Sequence, residues 1–280
     1  MEKDLALKYE KLQKRLKEMG RLVVSFSGGV DSTFLLAVAR EVIGDQVTAV
    51  TAAGRSVPEW EIEEAREFCR ERGIRHIVFS FDELEVDGFA DNPPDRCYHC
   101  KTAILQKVRE AAEQVDTVYI AEGSNVDDDG DYRPGKRAVQ EAGVISPLKE
   151  AGLTKAEIRQ LSKEMGLATW DKPSFACLAS RFAYEEPITA EKLRMVELAE
   201  KFLREHGEGR SAAGRSGTIP GSEAETGLYR TYEGPGIHLH SSGPGRIPDR
   251  EHECHLKIEN VESKMRPAAA LQKEEGNRHE

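Results

Sequence analysis

Apolar and polar positions along this chain follow two alternating registers. Leu5, Tyr9, Leu12, Leu16 and Met19 recur at helical spacing, which predicts an amphipathic helix over residues 3–19. Short apolar runs then appear at 22–26, 47–51, 76–81 and 117–121, separated by helical patterns over 32–42, 59–72 and 102–112. Strand and helix in alternation predict an α/β fold, a parallel sheet with helices on both faces, whose ligands sit beyond the strand carboxyl ends. A further helix is predicted after Thr154, where Thr154 and Glu157 have capping-box spacing, Ile158, Leu161 and Met165 share a face, and Gly166 provides the stop.

This patterning ends near His206. Residues 208–280 hold only nine Ile, Leu and Val and no Phe or Trp, too few to bury a core. Two parts are therefore expected: a folded domain over 1–206 and an atypical, disordered tail over 207–280, its abrupt change of character being what a shifted reading frame produces. The tail carries His238, His240, His252 and His255 without regular ligand spacing, so a metal tract is not expected there.

Composition narrows the function classes. A formal charge of −10 disfavours a large nucleic-acid footprint. The chain has no apolar run near the roughly 20 residues of a membrane span, and its charged first helix does not resemble a secretion signal, so a cytoplasmic location is expected. Five cysteines in 280 residues read better as ligands or reactive thiols than as a disulfide framework.

The first apolar run leads into Ser27-Gly-Gly-Val-Asp-Ser32 at the mouth of a helix. Backbone N–H groups at such a mouth have no intrahelical partner, and the two glycines let them approach a phosphate closely. The lysine of a Walker loop is absent. The segment resembles the PP-loop of ATP pyrophosphatases, which cleave ATP between the α- and β-phosphates and transfer AMP to an oxygen. Ser27, Gly28, Gly29, Asp31 and Ser32, with Gly123, are the expected ATP-binding residues. Asp31, an anion among phosphates, is expected to act through magnesium.

Cys97 and Cys100 lie at C-x-x-C spacing at the start of a helical pattern, and Cys177 stands alone further along. Three thiols can hold a four-iron four-sulfur cluster with one iron open, whereas zinc ordinarily takes a fourth protein ligand. A redox pair with an unrelated core Cys177 is the plainer alternative. His99 sits between the two thiols and is not expected to ligate; Cys69, on an apolar helix face, is expected in the core. Asn125-x-Asp127-x-Asp129-Gly130 imitates the start of a calcium loop, but the position of its required glutamate is Lys136, so that reading fails.

Several segments together are similar to the LarE family of ATP-dependent sulfur transferases. They are Phe26-Ser-Gly-Gly-Val-Asp-Ser32, Cys97-Tyr-His-Cys-Lys101, Glu122-Gly-Ser-Asn125, Asp131-Tyr-Arg-Pro-Gly135 with Arg137, Gly143-Val-Ile-Ser-Pro-Leu148 and Cys177-Leu-Ala-Ser-Arg-Phe182. The resemblance spans 1–206. It implies adenylation of a carboxylate of a pyridinium dicarboxylate mononucleotide and its conversion to a thiocarboxylate, for nickel-pincer nucleotide biosynthesis, in a homo-oligomer. It also implies the three-cysteine type, with Cys97, Cys100 and Cys177 on an iron-sulfur cluster and Cys177 and Asp31 catalytic. Arg133, Arg137, Ser180 and Arg181 would bind substrate, with Lys136 a further available cation. The sulfur comes from cluster-bound sulfide or from Cys177 itself. A PP-loop tRNA thiolase and a cluster-binding scaffold with a vestigial nucleotide site are the competing readings.

Overall fold

The structure, a computed structural model, describes residues 3–130, 134–205, 232–234 and 237–239. The chain divides into two units, Met1–Arg215 and Ser216–Glu280.

In the first unit α1 (Lys3–Met19) precedes β1 (Leu22–Ser25), α2 (Val30–Ile43), β2 (Val47–Gly54), α3 (Glu59–Glu71) and β3 (Arg75–Phe81). Then come α4 (Arg96–Gln114), β4 (Ile120–Ala121), α5 (Pro134–Glu141), α6 (Pro147–Ala151), α7 (Lys155–Glu164) and α8 (Ala190–Glu205). The strands form one parallel sheet in the order β3-β2-β1-β4. The period-two alternation of β1 sends Leu22 and Val24 into a core with α1, α2, α6 and α7, while Val23 packs with Val50 and Ile120 against Val108 and Ala112 of α4. Helices therefore cover both faces, as predicted. Because α2 lies between the sheet and other helices, its run from Phe34 to Ala39 is buried all round.

Three boundaries differ from the sequence reading by three residues or more. Strand β2 runs on to Gly54 instead of ending at Thr51. Helix α4 starts at Arg96, so Cys97 and Cys100 lie in its first turns; the polar stretch there has no apolar periodicity to reveal a helix. The run at 117–121 contributes only two residues to the sheet. Thr117 donates from its hydroxyl to the Arg21 carbonyl (2.8 Å) and accepts from the Tyr119 N–H (3.2 Å), which holds that end in a turn rather than on the ladder. The capping box is present as predicted: Thr154 Oγ1 accepts from Glu157 N–H, Glu157 Oε2 accepts from Thr154 N–H, and Gly166 takes the left-handed conformation (φ +68°).

In the second unit β5 (Tyr232–Gly234) pairs antiparallel with β6 (Ile237–Leu239). The remainder of the expected tail, with His240, His252, Cys254 and His255, lies outside the described residues. Among the described residues no helix is long and apolar enough to cross a membrane.

Candidate active site at the strand carboxyl ends

The loop after β1 is tied to itself by hydroxyls. Ser27 and Ser32 Oγ atoms lie 3.0 Å apart, the Ser27 N–H donates to Ser32 Oγ (3.3 Å), and Ser32 Oγ donates to the Gly29 carbonyl (3.2 Å). Gly28 adopts φ +72°, a conformation that side chains rarely take, and this turns the chain into α2. Gly29 caps α2 with no side-chain hydrogen bond, so the first-turn N–H groups are not claimed by a capping side chain. Gly123, just past β4, crosses over this turn: a Cβ there would lie 2.8 Å from Ser32 N. Only glycine fits that crossing.

Asp31 points into the same corner. One carboxylate oxygen, Oδ2, pairs with the Lys155 ammonium from the start of α7, while Oδ1 is buried without a hydrogen-bond partner. Burial pushes the Asp31 carboxyl above the usual carboxylate range, Lys155 opposes that rise, and Asp128 adds to it. Lys155 is set by its own backbone: its N–H donates to Asp127 Oδ2 (2.8 Å). The acidic turn thus anchors α7, with the Asp127 N–H donating to Asn125 Oδ1 (2.9 Å) and the Asn125 N–H to Asp128 Oδ2 (2.9 Å). An orphaned, buried carboxylate oxygen at an uncapped helix mouth fits a hard divalent cation such as magnesium.

A second lysine reaches the loop. Lys172 donates to the Gly28 carbonyl (3.3 Å) and pairs with Glu61 (2.7 Å) and Glu64 (2.8 Å), its side chain only 15% exposed. The sequence reading did not single out Lys155 or Lys172: Lys155 lies inside the capping box, which signals a helix start and not a ligand, and Lys172 lies in no motif.

Cys97 and Cys100 lie in the first turns of α4, and the Cys177 turn is hydrogen-bonded to Arg96 of that helix and to Ser56 after β2. Cys97 is exposed, while Cys100 and Cys177 are half-buried. Burial raises the Cys100 thiol, with Cys177, Glu83 and Cys97 adding to the rise. Burial also raises the Cys177 thiol, which Arg96 opposes and Cys97 and Glu83 reinforce. The three thiols thus share one electrostatic neighbourhood. Soft sulfur donors so grouped fit an iron-sulfur cluster in kind, although among the described residues no three His, Cys, Asp or Glu side chains converge as a ligand set. His99 is turned to Asp95 (3.4 Å) and packs over Gly88. Cys69 is buried in the core as predicted, its thiol pushed up to about 12 by burial.

The remaining predicted residues divide. Ser180 donates to the Cys177 carbonyl (2.8 Å) and accepts from Arg181 (2.8 Å), whose other nitrogen pairs with Glu200 (2.7 Å), so both stand beside the Cys177 turn. Arg137 instead lies over the Tyr98 ring (4.1 Å) and pairs with Glu141 (2.8 Å), which also accepts from the Tyr98 hydroxyl (2.6 Å). It ties α5 to the cysteine helix. Arg133 lies outside the described residues.

A profile described as "Queuosine biosynthesis protein QueC" matches residues 21–121, the segment from β1 to β4. The chain is 36% identical over 204 residues to the pyridinium-3,5-bisthiocarboxylic acid mononucleotide synthase of Lactiplantibacillus plantarum, an alignment covering 72% of this chain and 74% of that one. The chain belongs to the LarE family. It is thereby an ATP-dependent sulfur transferase built on a PP-loop. An uncharacterized protein of Synechocystis sp. is 40% identical over 203 residues, 72% of this chain and 76% of that relative. The tRNA-specific 2-thiouridylase MnmA of Rhizobium johnstonii is 28% identical over 218 residues, covering 61% of this chain and 53% of its own.

Proposed function

We propose that this LarE-family protein uses ATP to adenylate a carboxylate of a pyridinium dicarboxylate mononucleotide and then replaces an oxygen by sulfur, giving a thiocarboxylate for nickel-pincer nucleotide biosynthesis. The observation that carries this reading is the placement of two chemistries on one sheet edge. The Asp31–Lys155 corner follows β1, and the Cys177 turn is bonded to the residue pair that follows β2, the Leu178 N–H donating to the Ser56 carbonyl (2.8 Å).

A carboxylate resists sulfur attack because its carbon is shielded by negative charge and its oxygen leaves poorly. The uncapped first turn of α2 holds the triphosphate. A substrate carboxylate oxygen attacks the α-phosphorus, the bond to pyrophosphate breaks, and an acyl adenylate forms. Lys155 and the α2 amides offset the charge that builds on the departing pyrophosphate; Asp31 would hold a divalent cation, which would supply further neutralisation. Sulfur then bonds to the acyl carbon, and AMP departs with the former carboxylate oxygen. Cys97, Cys100 and Cys177 are the residues that would hold an iron-sulfur cluster, which supplies an iron open to exogenous sulfide. Ser180 and Arg181 orient the Cys177 turn and offer a cation to the substrate.

The test is anaerobic reconstitution followed by incubation with ATP, magnesium, sulfide and the pyridinium dicarboxylate mononucleotide, with mass spectrometry of the product. A thiocarboxylate is expected. Cys177→Ala should abolish sulfur transfer while pyrophosphate release continues. Release driven by tRNA and not by the mononucleotide would replace this reading with that of a tRNA thiolase.

A further inference from the structure

Two buried charges flank the Cys177 turn, and both meet only neutral partners among the described residues. Glu83, 1% exposed, accepts from the N–H groups of Arg55 (2.8 Å) and Ser56 (3.2 Å) and from the Ser56 hydroxyl (2.5 Å). A Cβ on Gly54 would lie 2.1 Å from its Oε1, so this close seat requires a glycine. Ser56 in turn accepts the Leu178 N–H. On the other side Arg96, 4% exposed, donates from Nη1 to Asn92 Oδ1 and to the Ala179 carbonyl (3.1 Å), while its Nε is buried without a partner. A guanidinium held in this way by an amide and a carbonyl is costly, because its hydration is only partly replaced.

Asn92 explains how Arg96 is held. It is fully buried and left-handed (φ +56°), and its Nδ2 donates to the carbonyls of Ala183 (2.7 Å) and Glu186 (3.1 Å). Its own carbonyl accepts from the Glu185 N–H (2.9 Å). Asn92 and Arg96 together therefore bind residues 179, 183, 185 and 186 to the start of α4, where Cys97 and Cys100 lie.

We infer that Arg96 and Asn92 are positioning residues that lock the Cys177 turn against the first turns of α4, so that the third thiol keeps a fixed place beside the other two. The lock is a feature of the chain itself; its consequence for sulfur delivery rests on the three-thiol reading above.

Hydrogen exchange of the full chain, followed by mass spectrometry, separates the two. Arg96→Met removes both donors, and Asn92→Gly removes the anchor while tolerating the left-handed backbone. Both variants should speed exchange across residues 177–188 by about tenfold or more and leave β1 and β2 protected. Unchanged exchange in both variants would overturn the assignment, and so would loss of protection throughout the sheet, which would make Arg96 a general core residue. The three-thiol reading has its own readout. Cobalt(II) added to the reduced protein should give thiolate charge-transfer absorption that falls by one thiolate in Cys177→Ala and by the same amount in Arg96→Met. If the wild-type protein lacks the third thiolate signal, the three-thiol reading fails, and exchange alone then decides the lock.

Discussion

The nucleotide corner and the thiol corner sit on the same sheet edge but hold their buried charges differently. At Asp31 the carboxylate is matched by a cation, Lys155, and one oxygen is left bare. At the Cys177 turn, Arg96 and Glu83 are matched by dipoles. A paired charge that can be traded for another cation suits a site that must bind and release a polyanion. Charges fixed by amides and carbonyls suit a site whose task is to hold a geometry.

The contrast is broken most severely at Asp31. Asp31→Asn should lower ATP-dependent pyrophosphate release by about 10³-fold, because the carboxylate proposed to receive a divalent cation is gone. Stability should move the other way. The Asp31 carboxyl is raised above its ordinary range mainly by burial, so the folded state binds a proton more readily than the unfolded state. Between the unfolded and folded values stability then falls as pH rises, and at neutral pH the charged form is a net cost. Asp31→Asn should therefore melt higher than wild type at pH 7, with the gap closing in acid. Pyrophosphate release and thermal melting of the same sample check both halves.

Lys155→Met is the next smaller effect, about 10²-fold on pyrophosphate release. It removes the tradeable cation and leaves Asp31 without its pair. Because Lys155 and Asp31 act on the same charge, Asp31→Asn and Lys155→Met combined should fall well short of the sum of the single losses. Additive losses in that double variant would break the idea of a traded pair.

Lys172→Met moves the effect from rate to stability. It leaves Glu61, whose side chain is 8% exposed, without its cation, and the expected cost is about 3 kcal/mol by denaturant melting. Adding Glu61→Gln should restore most of that loss. The Gly28 carbonyl contact predicts a weaker affinity for ATP that the second substitution does not repair.

The two corners were also unequally legible in the sequence. The loop after β1 could be read because phosphate binding there depends on the backbone, and backbone needs write themselves as glycines and hydroxyls in consecutive positions. Gly123 was legible only through the family resemblance; its reason, the approach to Ser32, is tertiary. Cys97 and Cys100 announced themselves by spacing, whereas the partners that fix Cys177 did not. Arg96, Asn92 and Glu83 lie in polar stretches with no apolar pattern to announce burial, and only folding buries them. Arg137 is a different case: the family segment implies a substrate contact, and the structure adds partners that the sequence did not announce, Tyr98 and Glu141. The sheet was legible from its apolar runs except at 117–121, where Thr117 bonds to Arg21 and removes residues that periodicity alone would keep.

The smallest expected effect tests whether the nucleotide corner is also held from below. His76 Nε2 lies 2.8 Å from Thr51 Oγ1, and the Thr51 hydroxyl donates to the carbonyl of Phe26, the residue before Ser27. Since that hydroxyl proton is already committed, the histidine must donate, which fixes its proton on Nε2. Burial, reinforced by Arg66, lowers the His76 pKa to about 4. The unfolded chain, with an ordinary imidazole near 6.5, then binds more protons between pH 6.5 and 4. Stability contributed by neutral His76 is complete above that window and is lost as pH falls through it. His76→Gln keeps a donor without titrating, so its melting temperature should depend less on pH between 6.5 and 4 than that of wild type, with ATP affinity at neutral pH nearly unchanged. Parallel pH profiles for the two proteins would remove His76 from the support of the loop and leave the Lys172 contact to hold it from outside the sheet.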